Sequence, residues 1–478
     1  MLASELLGSD WNNELDDVEI TGIAYDSRSV AEGNIFVCIK GFETDGHKYA
    51  ASAAANGAAL IVAENELDVD IPVCYVKNSR RKIAEMAAKY YDNPSKKFNL
   101  IGVTGTNGKT TITYLIKSIV EEAGMRIGVI GTNQNIIGDK VLVTQSTTPT
   151  TPNALELQQL FAEMAQSGAE SVVMEVSSHA LELDRVHGCR FQVGVFTNLT
   201  RDHLDFHITM DNYLAAKAKL FDISDKGVIN YDDEGGRKIA ATAPCEILKV
   251  GLGDGNDLTA RNINITARGT DFDVEYKGES YPVHIVIPGR FSVYNALCAF
   301  GAALQLGMDV PTIIRGLEKA AGVMGRVEVV PTDTDYTVII DYAHTPDGLQ
   351  NIIETVQDFA KGDVITLFGC GGDRDNTKRP IMGEIAGKLS DFSIITSDNP
   401  RTEDPEAIVN EIEAGMKKTD GKYTVIVDRR EAIGWALDHA KKDDVIILAG
   451  KGQETYQIVG KEKHDFDERV IVYQHLNK

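Results

Sequence analysis

A chain of 478 residues is too long for one hydrophobic core and points to about three domains. Its net charge of −23 argues against nucleic acid or an anionic membrane surface as the main partner, because both are bound through basic patches. Six cysteines without a Cys-x-x-Cys pair suggest neither a disulfide framework nor a thiolate zinc site, and with no basic-flanked leader or membrane-length apolar run they predict a soluble, unexported, cytoplasmic protein.

Residues 1–97 read as a small α/β unit. Strands are expected near Ile20–Asp26, Asn34–Ile39 and Ala59–Ala63, with helices near Tyr49–Asn56 and Arg80–Tyr91. Tyr25-Asp26-Ser27-Arg28 and Lys40–Gly46 are polar loops after strands, each by itself more a turn than a site. The breaker and charge cluster Asp92–Lys97 reads as a linker.

Residues 98–325 open on Leu100-Ile101-Gly102-Val103-Thr104-Gly105-Thr106-Asn107-Gly108-Lys109-Thr110-Thr111, followed by apolar residues at helical spacing. This is strand, phosphate loop, helix. The strict phosphate-loop pattern has a glycine at position 103, where this chain has Val103, but the chemistry survives the change. Glycines let backbone N–H groups converge on phosphate oxygens, Lys109 reaches the outer phosphates, and the Thr110 hydroxyl is placed for Mg²⁺. A Gly-rich strand-to-helix turn is common, yet one ending in Gly-Lys-Thr-Thr favours ATP binding.

Further strands are expected at Ile127–Gly131, Ser171–Val176, Val193–Asn198 and Val228–Asn230. They alternate with helices, as in a mainly parallel sheet with its active edge at the strands' C-terminal ends. Glu175, at the end of one of them, is a candidate metal-directed acid. His203 and His207 have the spacing of a zinc pair but lack the rest of a zinc motif; a magnesium site using Glu175, one histidine and nucleotide phosphates fits better. Lys217 lies between alanines on the apparent buried side of the helix Tyr213–Phe221, but a lone helical lysine is usually solvated or snorkelling, and spacing assigns it no role. Period-two alternation over Leu258–Pro288 predicts an appended antiparallel hairpin around Tyr276–Ser280.

From 326 the α/β alternation resumes, with strands at Thr337–Asp341, Asp363–Phe368, Phe392–Thr396, Thr424–Val427 and Val445–Leu448: a second doubly wound domain without its own phosphate loop. Polar clusters follow four of these strands, at Asp341–Pro346, Gly369–Asp375, Asp398-Asn399-Pro400-Arg401 and Gly450–Glu454. Parallel strands would bring all four to one sheet edge, and their mixed Arg, Asp and Glu suit a zwitterionic ligand.

Taken together, Gly105–Thr111, Met174–His179, Asn198–His203, Ala216-Lys217, Gly289-Arg290-Phe291 with Asn295, Gly325-Arg326, Asp341–Pro346 and Gly369–Asp375 resemble the Mur ligases, the ATP-dependent amide-forming enzymes of bacterial peptidoglycan synthesis. The resemblance spans the chain in family order. It implies an N-terminal UDP-sugar-binding domain (1–97), a central ATP-binding domain (98–325) and a C-terminal Rossmann-like domain that binds the incoming amino acid (326–478). It is nearest the branch that adds the third residue to UDP-N-acetylmuramoyl-L-alanyl-D-glutamate.

The roles it implies are as follows. Gly105, Thr106, Asn107, Gly108, Lys109, Thr110, Thr111, Asn295, Arg326, Asp341 and His344 would contact ATP. Thr110, Glu175, His203 and Lys217 would serve Mg²⁺, Lys217 as a carbamylated lysine, with Lys109, Lys217 and His203 catalytic. Tyr25, Ser27, Thr147, Thr148, Ser177 and Arg185 would contact the UDP-sugar dipeptide. Leu183 stands where some relatives have Gln, and Gln453 where His is common. Asp398-Asn399-Pro400-Arg401 resembles the form of the diaminopimelate-adding branch, which implies meso-diaminopimelate bound by Arg374, Asp398, Asn399, Pro400, Arg401, Gly450 and Glu454. The partners implied are these small molecules, with no nucleic acid, no membrane insertion and a monomeric enzyme. The alternatives are a folylpolyglutamate or cyanophycin-type ligase sharing the ATP machinery, or a nucleotide-binding regulatory protein that has lost catalysis.

Overall fold

The computed structural model describes residues 1–41, 44–143, 148, 150–266 and 269–477, with only the backbone at 205. The chain forms two compact units, Met1–Asn256 with Cys298–Ile313, and Asp257–Leu297 with Ile314–Lys478.

The first unit begins with a four-stranded parallel sheet: β1 (Gly22–Ala24), β2 (Asn34–Val37), β3 (Ala58–Ala63) and β4 (Val73–Tyr75), in that order. Strand β2 is buried along its whole length, as a parallel strand covered on both faces should be. Helix Ser79–Tyr90 is capped by Asn78, whose Oδ1 accepts from the Arg81 N–H at 3.0 Å, and packs Ile83 and Met86 against Ile35, Val37, Leu60 and Val62. The stretch expected to be a linker is instead a packed turn. Asn93 adopts the left-handed conformation (φ +45°), and Pro94 and Ser95 are buried in a short 3₁₀ turn.

A larger sheet follows, made of β5 (Asn99–Thr104), β6 (Ile127–Ile130), β7 (Ile136–Ile137), β8 (Lys140–Val141), β9 (Ser171–Glu175), β10 (Phe191–Phe196), β11 (Ser224–Asn230) and β12 (Glu246–Gly251). Their order is β12-β11-β10-β5-β9-β6-β7-β8. From β12 to β6 every pairing is parallel; β7 and β8 add an antiparallel edge that the sequence does not announce. Because β9 and β10 flank β5 on opposite sides, the chain changes winding direction there, and the ends of β5, β6, β9 and β10 open at one edge.

The second unit holds an antiparallel meander of β13 (Leu258–Thr266), β14 (Gly269–Tyr276) and β15 (Glu279–Ile285), three strands where a hairpin was expected. The β14–β15 turn falls at Lys277-Gly278, both at positive φ (50° and 83°), as a two-residue hairpin turn requires. Its main sheet has β16 (Glu328–Val330), β17 (Thr337–Asp341), β18 (Val364–Phe368), β19 (Phe392–Ile395), β20 (Tyr423–Val425) and β21 (Val445–Ala449), ordered β16-β17-β21-β18-β19-β20 and parallel except for β16. A small hairpin, β22 (Tyr456–Val459) and β23 (Glu462–Asp465), follows. Among the described residues no helix is long and apolar enough to cross a membrane.

Candidate active site

At the end of β5 the chain turns through Gly105–Gly108 into helix Lys109–Glu122. Gly105 is at φ +148°, and a Cβ there would lie 1.8 Å from Thr197 Oγ1, so only glycine fits. The end of β10 braces the loop: Thr197 Oγ1 donates to the Asn107 carbonyl at 2.6 Å, and Asn198 Oδ1 accepts from the Asn107 N–H at 2.9 Å. Lys109 Nζ lies over this cradle, donating to the carbonyls of Gly105 (3.0 Å) and Thr106 (2.8 Å). The helix N-terminus behind it presents Thr110 and Thr111 and the positive end of the helix dipole, a site for phosphate.

Glu175, at the tip of β9, is buried beside the loop. Thr110 Oγ1 donates to its Oε1 at 2.9 Å, the Thr132 N–H donates to the same oxygen at 2.8 Å, and Thr132 Oγ1 donates to Oε2 at 3.2 Å. The carboxylate is thus fixed next to the hydroxyl expected to work with it. Lys217 lies on helix Met210–Asp222 with 1% of its surface exposed and its ammonium 4.3 Å from the Tyr213 ring centroid. Burial, and secondly the Lys109 cation, push its pKa well below the ordinary lysine value. The Tyr213 hydroxyl is 3.2 Å from Thr106 Oγ1, and burial pushes that phenol up to about 12.

His203, in the left-handed conformation (φ +51°), is half exposed, 3.4 Å from Asp202 and in edge contact with the His179 ring. His207 is buried and shares a 2.8 Å hydrogen bond with Ser178 Oγ. Its imidazole therefore serves the packing of helix Ser178–Glu182, against the zinc-pair reading. Among the described residues no three His, Cys, Asp or Glu side chains gather as a metal cluster.

A second cluster in this unit centres on Thr151, which is fully buried and which sequence reasoning passed over. Its Oγ1 is 2.9 Å from the Glu175 carbonyl and accepts from the Ser177 N–H at 3.0 Å; its carbonyl accepts from Arg185 Nη1 at 3.0 Å and Thr148 Oγ1 at 3.1 Å. Ser177, Arg185 and Thr148 are thereby brought together; Thr147 lies outside the described residues. Burial lowers the Arg185 pKa, and the neighbouring Arg80 cation adds to the shift. Tyr25 hydrogen-bonds Glu156 (2.5 Å) and Asn153 (3.1 Å) through its hydroxyl, whose pKa burial and Glu156 raise. Ser27 is buried in a turn whose carbonyl accepts from Asn56 Nδ2 at 2.8 Å. A cavity of about 290 Å³ is lined by Thr132, Thr148, Thr150 and Pro152 among others.

In the second unit, Asp341 ends β17 with both oxygens used: Oδ2 accepts from the Val327 N–H and Oδ1 from the Ala343 N–H, each at 2.8 Å. Burial raises its pKa, while Arg326 and these two N–H groups oppose the shift. The Arg326 guanidinium lies 5.1 Å from the Tyr342 ring centroid, and His344 Nδ1 donates to the Tyr342 carbonyl at 2.7 Å. Burial lowers the His344 pKa, favouring the neutral ring. Asn295 is buried on helix Arg290–Gln305.

The polar clusters after β18, β19 and β21 meet as expected. Arg401 (φ +51°) donates from Nη1 to the Gly372 carbonyl at 2.8 Å, and Thr402 Oγ1 donates to Asp373 at 2.7 Å. Arg374 Nη1 donates to the Asp373 carbonyl at 2.9 Å. Gly372 and Pro400 touch so closely that a Cβ on Gly372 would lie 1.9 Å from the Pro400 oxygen. The Asn399 N–H donates to Asp398 Oδ1 at 2.6 Å, while Asn399 Nδ2 donates to Glu454 Oε2 at 2.8 Å. Gly450 (φ +115°) passes Asp398 where a Cβ would lie 2.7 Å from Oδ2. Neither Arg374 nor Arg401 has a carboxylate within ion-pair distance among the described residues, so two cations and a set of carboxyl and amide oxygens share one sheet edge.

Comparison with known proteins agrees. Residues 19–95 match the Mur ligase family catalytic domain, 103–303 the Mur ligase middle domain, and 325–452 the Mur ligase glutamate ligase domain. A protein of Clostridium acetobutylicum named UDP-N-acetylmuramoyl-L-alanyl-D-glutamate–2,6-diaminopimelate ligase 1 is 48% identical, covering 99% of this chain and 97% of its own. A Clostridium botulinum protein named as the same ligase is also 48% identical, over 95% and 94%. A solved structure of a UDP-N-acetylmuramoyl-L-alanyl-D-glutamate–2,6-diaminopimelate ligase superposes with a TM-score of 0.76 at 33% identity, covering 100% of this chain and 99% of that one. With a phosphate loop, a carboxylate fixed beside it and relatives alike from end to end, this chain belongs to the Mur ligase family of ATP-dependent amide ligases.

Proposed function

We propose that this chain joins an amine of meso-2,6-diaminopimelate to the D-Glu side-chain carboxylate of UDP-N-acetylmuramoyl-L-alanyl-D-glutamate, consuming ATP, in the cytoplasmic synthesis of peptidoglycan precursors. The observation that carries this reading is the meeting of Arg374, Arg401, Asp398, Asn399 and Glu454 at one sheet edge, because lysine and diaminopimelate differ chiefly by a carboxylate that arginine binds bidentately. The family segments at 19–95, 103–303 and 325–452 support a division of labour into residues 1–97, 98–325 and 326–478, and the first favours a UDP-sugar substrate over a folate.

The reaction starts with transfer of the ATP γ-phosphoryl group to the carboxylate, giving an acyl phosphate. The amine attacks its carbonyl carbon, and the tetrahedral intermediate expels phosphate. No protein nucleophile is needed. The chain's task is to hold crowded anions and align the amine. Lys109 follows the phosphoryl oxygens, the loop N–H groups bind them, and Arg185 with Ser177 and Thr148 holds the acidic dipeptide.

The Thr110 hydroxyl and Glu175 carboxylate, 2.9 Å apart beside the loop, are hard oxygen donors of the kind Mg²⁺ takes together with phosphates, so the residues fit that ion. When bound, Mg²⁺ neutralises phosphate charge. Lys217 supplies no oxygen as it stands. A buried amine that loses its proton more readily than an ordinary lysine can attack carbon dioxide in its neutral form and, releasing a proton, become a carbamate with two oxygens, and that is the form we assign to it.

Incubation with the UDP-dipeptide, ATP, Mg²⁺ and a panel of amino acids tests the assignment. The expected product is the UDP-tripeptide with ADP and phosphate, formed with diaminopimelate at a kcat/KM about 10⁴-fold above that for L-lysine. Arg401→Ala should lose about 100-fold for diaminopimelate and most of the discrimination. Comparable use of L-lysine overturns the specificity, and no ligation with any amino acid overturns the ligase reading.

A further inference from the structure

Beneath the Asp398–Arg401 loop lies a lysine that the reaction above leaves idle. Lys451 directly follows the left-handed Gly450 at the end of β21 and is 0% exposed. Its Nζ is 3.3 Å from Asn399 Oδ1 and 3.3 Å from Glu454 Oε2, and the 2.8 Å bond from Asn399 Nδ2 to Glu454 Oε2 closes a triangle. The rings of Phe466 and Tyr456 stand 5.6 and 5.9 Å away and cover the ammonium. A neighbouring buried pair, Arg429 and Glu468 at 2.8 Å, binds each other and the Ala449 carbonyl and reaches neither Asn399 nor Glu454 among the described contacts.

Burying an ammonium completely is costly, and a position that served only folding would be at least as stable with an apolar side chain. Here the charge is spent on the two side chains read as holding the incoming amino acid. Asn399 is fixed from three directions: its Oδ1 also accepts from the Ile458 N–H at 2.9 Å, so its amide cannot turn over. Among the described residues, every hydrogen bond to the Glu454 carboxylate falls on Oε2, and Oε1 is the oxygen assigned to a ligand ammonium.

We propose that Lys451 is a positioning residue of the amino-acid site, locking Asn399 and Glu454 in one arrangement that presents a single Glu454 oxygen to the substrate's ammonium group. This rests on the proposed function. Lys451 touches no substrate and acts through Glu454, so its loss should weaken amino-acid binding selectively.

The test is steady-state kinetics on the full-length enzyme with Lys451→Met, Glu454→Gln and the double variant, with thermal unfolding followed in parallel. Lys451→Met should raise KM for diaminopimelate about tenfold or more while leaving KM for ATP and the UDP-dipeptide within about twofold. The double variant should be no worse than Glu454→Gln alone, because one residue works through the other. Should Lys451→Met fail to fold, Lys451→Gln, which keeps a donor, is expected to show a smaller rise in the same KM. An unchanged KM for diaminopimelate, additive losses in the double variant, or equal damage to all three substrates overturns the proposal. A wild-type enzyme that uses other amino acids but not diaminopimelate removes the underlying reading as well, which separates the two failures.

Discussion

Two lysines near the phosphate loop differ in what surrounds them, and their predicted behaviour differs accordingly. Lys109 is poised over backbone carbonyls that a phosphate would displace, so Lys109→Ala should lower turnover about 100-fold or more with an unchanged circular dichroism spectrum. Lys217 is buried with a lowered pKa. The unfolded chain therefore binds a proton there that the folded chain does not, over the interval from the depressed folded value up to the ordinary lysine value of about 10.4. In carbon-dioxide-free buffer, stability should climb with pH across that interval and lose the slope in Lys217→Met. The same substitution should raise the melting temperature of the wild-type fold by about 2–4 °C at neutral pH while abolishing turnover. A lower melting temperature would mean the lysine is structural. Restored turnover on adding a small carboxylic acid to Lys217→Ala would support the carbamate. Spacing put Lys217 on the apparent buried side of its helix but gave it no role, since a lone helical lysine is usually solvated or snorkelling; its burial against the Tyr213 ring supplies the chemistry that spacing lacks.

At the scale of elements, strand-loop-helix order was readable because parallel strands carry unbroken apolar runs and end in polar clusters. The phosphate loop, Glu175 and the four C-terminal clusters fell where they were expected for that reason. Short edge strands such as β7, β8 and β16 carry too few residues to show a period, and β13 was merged into one hairpin because its alternation continues that of β14. Thr132 and Thr151 were missed, and Lys451 was read only as a member of the Gly450–Glu454 cluster, because the partners that define them (Glu175, Arg185 and Asn399) come from distant segments. The close approach of two such loops gives a further prediction. Gly372→Ala forces its loop away from the Pro400 carbonyl, and should raise KM for diaminopimelate about tenfold while leaving that for ATP unchanged. Gly105→Ala, pressed against Thr197, should instead cost about 2–4 kcal/mol in the first unit and abolish ATP binding.

For the molecule as a whole, net charge −23 and anionic substrates are reconciled by gathering cations locally: Lys109 and Arg185 in the first unit, Arg374 and Arg401 in the second. The central claim is that the chain activates a substrate carboxylate as an acyl phosphate for attack by an amine. It is tested most directly by supplying UDP-N-acetylmuramoyl-L-alanyl-D-glutamate with heavy oxygen in the D-Glu side-chain carboxylate, together with ATP, Mg²⁺ and diaminopimelate, and analysing the released phosphate by mass spectrometry. One labelled oxygen in each phosphate formed with the UDP-tripeptide is the predicted result; unlabelled phosphate accompanying that product would contradict the account.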